Sequence, residues 1–164
     1  MKKLLNILLI SSIAIFTISC KKDATDVPLG TIKATINGNA FTFNVQARAT
    51  RLTVSGGYGI QIQGNFKTTS TTNLSFSVVR PGPISTGSYT ENTAGNPLVQ
   101  MTHCTEVLFP CVIQATAYGN TSNPVSVTIT EITGSSVKGT FSGELQVSSG
   151  GTELLKNGVF YVNF

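Results

Sequence analysis

Residues 125 to 147 read VSVTITEITGSSVKGTFSGELQV, with apolar or small residues on every second position for most of their length. Val125, Val127 and Ile129 alternate with Ser126, Thr128 and Thr130; beyond a turn at Thr133 to Ser136, the residues Val137, Gly139, Phe141, Gly143, Leu145 and Val147 share one face. A period of two puts successive side chains on opposite faces of a strand and leaves little room for a helix. The stretch therefore predicts a β-hairpin with one buried face.

The same pattern runs through the rest of the chain. In TIKATINGNAFTFNV, Ile32, Ala34 and Ile36 form one face, Asn37-Gly38 interrupts, and Phe41, Phe43 and Val45 form the next. Asn-Gly between alternating segments is the strongest short hairpin signal, because a type I′ turn needs positive φ at both central residues; Asn39 leaves room for a longer turn. Leu52 and Val54 lead into Gly56-Gly57, and Ile60 and Ile62 lead out, which predicts a second hairpin. Leu74, Phe76 and Val78 form a strand that Pro81 and Pro83 must end, since proline cannot donate to a ladder. The terminal GVFYVNF is apolar on both faces except at Asn163, as expected of a central strand covered on both sides.

Roughly nine to eleven short antiparallel strands follow from this spacing, arranged as an all-β sandwich. The alternative is an up-and-down, lipocalin-like β-barrel, which would raise the odds of an enclosed ligand. Unequal strand lengths and the interruptions at Pro81, Pro83, Pro97, Pro110 and Pro124 favour the sandwich. Charged residues make up only 11% of the chain, and Thr, Ser, Asn and Gly fill the positions between hydrophobics, a composition suited to a β-protein outside the cytoplasm.

The N-terminus gives the address. Met1-Lys2-Lys3 is a short positive segment, and Leu4 to Phe16 is largely apolar but too short to cross a hydrocarbon core of roughly 30 Å, so residues 1–19 read as a signal peptide. Thr17-Ile18-Ser19-Cys20 resembles a lipobox, at which a bacterial lipoprotein is cleaved before its cysteine and acylated on it. Ser19 supplies the small residue, whereas Thr17 stands where Leu or Val is usual. Cys20 is thus the expected lipidation site, residues 20–29 a polar tether, and residues 30–164 a single domain. Several acyl chains on one residue anchor firmly, each buried methylene contributing about 0.8 kcal/mol. The expected location is the outer membrane, on its periplasmic face or at the cell surface, with the membrane as partner through the lipid.

GTIKATINGNAFTF, SVTITEITGSSVKGTFSGEL and LLKNGVFYVNF together resemble a widespread family of Bacteroidota-type envelope lipoproteins whose domain has no assigned function. The most specific part is V-x-G-T-F-S-G followed by N-G-x-F-x-V-x-F. The resemblance implies an all-β domain displayed on a cell envelope and carries over no catalytic or binding residue, because the pattern consists of turn glycines and core hydrophobics.

Chemistry is sparse. The formal charge of +4 falls once Lys2 and Lys3 leave, and the remaining Lys33, Arg48, Arg51, Lys67, Arg80, Lys138 and Lys156 are scattered, so no nucleic-acid footprint is expected. MTHCTEVLFPC gathers Met101, His103, Cys104, Glu106 and Cys111, a set that could hold a soft metal. In an oxidising compartment the stronger reading is a Cys104–Cys111 disulfide, closing about eight residues for roughly 2.5 kcal/mol; no cofactor or metal is expected. The only histidine, His103, lies next to a cysteine and offers no base to a nucleophile. Ser135-Ser136-Val137-Lys138 fits S-x-x-K, but Ser135 falls in a turn rather than on the helix that this motif needs. Glu91, Glu106, Glu131, Glu144 and Glu153 are expected to be solvated surface charges rather than the paired carboxylates of a hydrolase.

The chain is accordingly expected to be no enzyme but a monomeric structural or interaction module, with an envelope protein as one candidate partner. The alternative is a binding module for a glycan or small apolar ligand at one end of the β-structure. Tyr58, Tyr89 and Tyr118, beside glycine-containing turns, are its candidate contacts, each weighed against a packing role.

Overall fold

The computed structural model describes residues 26–68, 72–91, 98–105, 113–116 and 122–164, with the backbone alone for 113–116. Eleven strands run through them: β1 Thr31–Ile36, β2 Asn39–Phe43, β3 Val45–Val54, β4 Gly57–Asn65, β5 Asn73–Arg80, β6 Gly87–Thr90, β7 Leu98–Thr105, β8 Ile113–Thr116, β9 Ser126–Ile132, β10 Ser136–Val147 and β11 Thr152–Asn163. There is no helix among the described residues.

The strands belong to one hydrogen-bonded network that folds over into two layers. Strands β2-β1-β11-β10-β9-β6 form the first layer and β3-β4-β5-β7-β8 the second. The layers are joined at two corners. At one, Asn163 of β11 pairs with Arg48 of β3, the single parallel contact; at the other, Gln146 and Val147 of β10 pair with Thr116 and Ala115 of β8. This is a sandwich-like all-β fold, as the alternation predicts. It is not an up-and-down barrel: neighbours in space are often distant in sequence, and β2 and β6 remain as outer edges.

Aromatic rings fill the space between the layers. Phe76 of β5 lies with its ring centroid 4.8 Å from Phe141 of β10 and 5.4 Å from Phe160 of β11. Ile32, Phe43, Leu74 and Val127 are fully buried around them, each such side chain contributing about 1.5–3 kcal/mol of transfer free energy. The inward faces are those of the sequence pattern: on β10, Val137, Gly139, Phe141, Gly143 and Leu145 are all buried.

The glycines of that pattern make room for rings. A Cβ on Gly139 would overlap the Thr128 carbonyl oxygen and lie 2.6 Å from Phe160 Cζ; one on Gly158 would overlap the Phe141 carbonyl and lie 2.6 Å from its ring. The resemblance motif thus has a steric basis. The Asn37-Gly38 turn is the two-residue form, with φ of 49° and 86° and Ile36 paired directly with Asn39. It is also tied to β11: the Asn37 N–H donates to the Leu154 carbonyl at 3.0 Å, and the Leu154 N–H donates to Asn37 Oδ1 at 2.9 Å.

Packing begins earlier than the expected boundary at Gly30, for Val27 is only 5% exposed. Cys20 and the signal segment lie outside the described residues.

Candidate functional site

Three places hold the side chains that sequence reasoning singled out, and they do not converge. The first is the β7 segment. On β7, Val99, Met101 and His103 point inward by strand parity, and His103 is 1% exposed. Its Nδ1 lies 2.7 Å from Glu153 Oε2 on β11, so a buried polar contact spans the two layers. Phe41 and Phe43 stand edge-on to the imidazole, with centroids 6.0 and 6.1 Å away. His103 Nε2 is buried and has no hydrogen-bond partner.

For Glu153 and Glu91, this arrangement corrects the expectation of a surface charge. Glu153 is buried because it shares inward parity with Leu155, and His103 is the partner it meets. Glu91 is buried too, its Oε2 accepting from the Val125 N–H at 3.1 Å while its own N–H donates to the Val125 carbonyl at 2.7 Å. It fastens the end of β6 to the start of β9. Glu144 accepts from Asn123 Nδ2 at 3.2 Å, and Glu131 is exposed. No two glutamates meet His103 in one cleft among the described residues, and no three of His, Cys, Asp and Glu converge there.

Cys104 is buried on β7; Glu106, Cys111 and Tyr118 lie outside the described residues. Ser135 sits in the β9–β10 turn, where its N–H and that of Ser136 donate to Thr133 Oγ1 at 3.2 and 3.0 Å. The S-x-x-K match is therefore part of a turn organised by a threonine hydroxyl.

The second place is the end of the sandwich around Tyr58, which is 50% exposed at the start of β4. Tyr58 lines an open cleft of about 200 Å3 with Arg51, Leu52, Pro83 and Ile84. Arg51 is held there: its guanidinium lies 3.8 Å from the Phe164 ring centroid and donates to the Thr133 carbonyl at 2.7 Å. The third place is Tyr89 on β6, whose ring belongs to the hydrophobic core. It is 5% exposed, and its hydroxyl donates to the Ser85 carbonyl at 2.8 Å and accepts from the Ser85 N–H at 3.1 Å. Burial pushes the phenol up, but the Ser85 hydrogen bonds and the nearby Arg80 outweigh it and hold the pKa below the usual tyrosine value. Such a hydroxyl, bonded to the backbone four residues upstream, secures a corner.

Sequence reasoning missed one surface altogether, the outer face of β4, β5 and β7. Register aligns Gln61 with Ser77 and Ser77 with Gln100, and in the next row Gln63 with Ser75 and Ser75 with Thr102. Short serines on the middle strand between longer side chains leave a depression of about 120 Å3. The available signal was the uncharged outward parity of all three strands. Against known proteins, the chain matches no protein-family model, no curated protein and no solved structure.

Proposed function

We propose that this chain is a lipid-anchored cell-envelope protein whose β-sandwich serves as a non-enzymatic structural or interaction module. The observation that carries the non-enzymatic reading is the burial of His103. The one side chain suited to general-base work near neutral pH is sealed between the layers, with its Nδ1 committed to Glu153. The anchor rests on Thr17-Ile18-Ser19-Cys20 and the signal segment before it. Membership of the Bacteroidota-type lipoprotein family rests on the glycine and phenylalanine pattern of β10 and β11, and the protein is taken to act as a monomer at the outer membrane. The Cys104–Cys111 bridge belongs to the same reading, as a clip on the segment following β7.

The test is palmitate labelling of intact cells combined with protease accessibility, comparing the native chain with Cys20→Ala. Label that is present in the native protein and lost in the variant is expected. Protease sensitivity then places the domain at the cell surface, and protection places it in the periplasm. An unlabelled native protein would overturn the anchor.

A second reading, binding of a glycan or small apolar ligand at one end of the sandwich, is favoured by the Tyr58 cleft. There the exposed Tyr58, Arg51 and two apolar residues of the 83–84 segment line the same open space. Loss of ligand retention on Tyr58→Ala would support that reading; retention unchanged by Tyr58→Ala and Arg51→Ala would remove it.

A further inference from the structure

The outer face of the second layer has the relief and chemistry of a binding trough. Along β5, Ser75 and Ser77 point outward, flanked by Gln61 and Gln63 of β4 on one side and Gln100 and Thr102 of β7 on the other. Hydroxymethyl groups form the floor, and amides and a threonine hydroxyl form the walls of the depression. Much of this polar capacity is unused within the protein. Gln61 Nε2 donates to Ser75 Oγ at a marginal 3.5 Å, and no side-chain hydrogen bond within the described residues engages Ser77, Gln100 or Thr102. Among the described residues, the charge beside the trough is Arg48, whose Nε and Nη2 donate to the Gln63 amide oxygen at 3.2 and 3.1 Å.

One step along the same face, the chemistry changes. Leu52, Gly59, Val79 and Leu98 form a single row across β3, β4, β5 and β7. Gly59 keeps that row shallow, and Leu98 is among the exposed large hydrophobics. Successive rows on one face of a sheet are spaced by about 7 Å, so the three rows of trough and apolar shelf span about 14 Å along the strands.

We infer that this trough binds a linear, neutral oligosaccharide laid along β5. Side-chain amides carry two donors and an acceptor in one plane, and so answer adjacent hydroxyls of a sugar ring; serine and threonine hydroxyls can take either role. The apolar shelf accepts the C–H face of a ring, and every residue lining the depression itself is uncharged. A glycan is thus matched in charge, in hydrogen-bonding character and in length. The inference deepens the interaction-module reading and rests on it.

The test uses the full chain in detergent micelles and, as probes, cellotetraose, maltotetraose, laminaritetraose, xylotetraose and mannotetraose, with binding measured by calorimetry. At least one probe is expected to bind saturably, with affinity nearly unchanged between ~50 mM and ~500 mM salt because no ion pair forms. Gln61→Ala and Gln100→Ala should each weaken that binding by about 5- to 10-fold, as for loss of one or two hydrogen bonds. Ser77→Tyr, which fills the trough from a solvent-facing position, should abolish it, and Glu131→Gln, exposed on β9 in the other layer, should leave it intact. Unchanged melting curves show that each variant is folded.

Absence of binding by all five probes, or binding indifferent to Ser77→Tyr, overturns the trough. Binding lost in Tyr58→Ala but kept in the trough variants moves the site to the end cleft, overturning this inference while leaving the module reading in place. Reducing-end analysis of the same incubations separates the two ideas from the other side: sugar released by the protein would overturn the non-enzymatic reading itself.

Discussion

Replacing His103 and Glu153 separately and together probes their buried polar contact between the layers. The His103 side chain is 1% exposed and that of Glu153 12%, with 2.7 Å between Nδ1 and Oε2. In Glu153→Met the imidazole loses its only acceptor and keeps a second nitrogen already without a partner. A buried polar group left unsatisfied costs about 1–3 kcal/mol, so a loss of about 2 kcal/mol is expected. In His103→Leu the carboxylate loses its partner but reaches water at its edge. That cost should fall near 2–3 kcal/mol, below the ~3–5 kcal/mol of a fully buried charge stripped of its partner. In the double variant neither polar group remains, and Leu and Met pack against Phe41 and Phe43. It should fold within about 1 kcal/mol of the native chain or exceed it, a departure from additivity of at least ~2 kcal/mol. Glu153→Gln, whose amide oxygen can still accept from Nδ1–H, should cost no more than about 1 kcal/mol. Equilibrium urea denaturation with unchanged m-values is the assay. A double variant as unstable as the sum of the two singles would refute the argument, because the loss would then lie in packing and not in a mutually dependent polar pair.

Other consequences are more local. Gly139→Ala forces a methyl group against the Thr128 carbonyl and Phe160, and should cost about 3 kcal/mol or more, at the upper end of overpacking, read from the denaturation midpoint. Phe76→Ala removes the ring between Phe141 and Phe160 and should lower stability by about 3–5 kcal/mol. Gly38→Ala, at φ 86° in open space, should cost only about 1–2 kcal/mol in thermal unfolding, the conformational penalty without a steric one. Non-reducing mass spectrometry of the alkylated protein should find Cys104 and Cys111 linked; two alkylated thiols would remove the bridge.

Local structure was legible because it depends on neighbouring residues. Alternation placed the inward faces of β5, β9 and β10, Asn37-Gly38 marked its hairpin, and the two-sided apolar character of GVFYVNF put β11 in the middle of its layer. Strand order was not legible, since pairing β11 with β1, β10 and β3 depends on contacts between distant segments. The His103–Glu153 contact spans 50 residues. A trace of it was present: His103 has the parity of Val99 and Met101, and Glu153 that of Leu155, so two inward polar groups on different strands each required a partner. The expectation of surface glutamates rested on their places near turns and in polar alternation, whereas Glu153 shares the inward parity of Leu155. The trough was hidden for a related reason, as Gln61, Ser77 and Gln100 become neighbours only once three strands are in register.

The central position of β11 also sets when this domain can fold. The last twelve-residue strand, Thr152–Asn163, bonds to β1, to β10 and, at its end, to β3. Until it is available, β1 and β10 have no common neighbour and one corner between the layers cannot form. Closure of the sheet therefore waits for β11, and the long loops that must close make it slow. A chain stopped before Thr152 would hold nearly all the apolar residues of the core without the strand that organises them. The interval before β11 joins is thus the one at which the chain, with its apolar faces uncovered, is most exposed to misassembly.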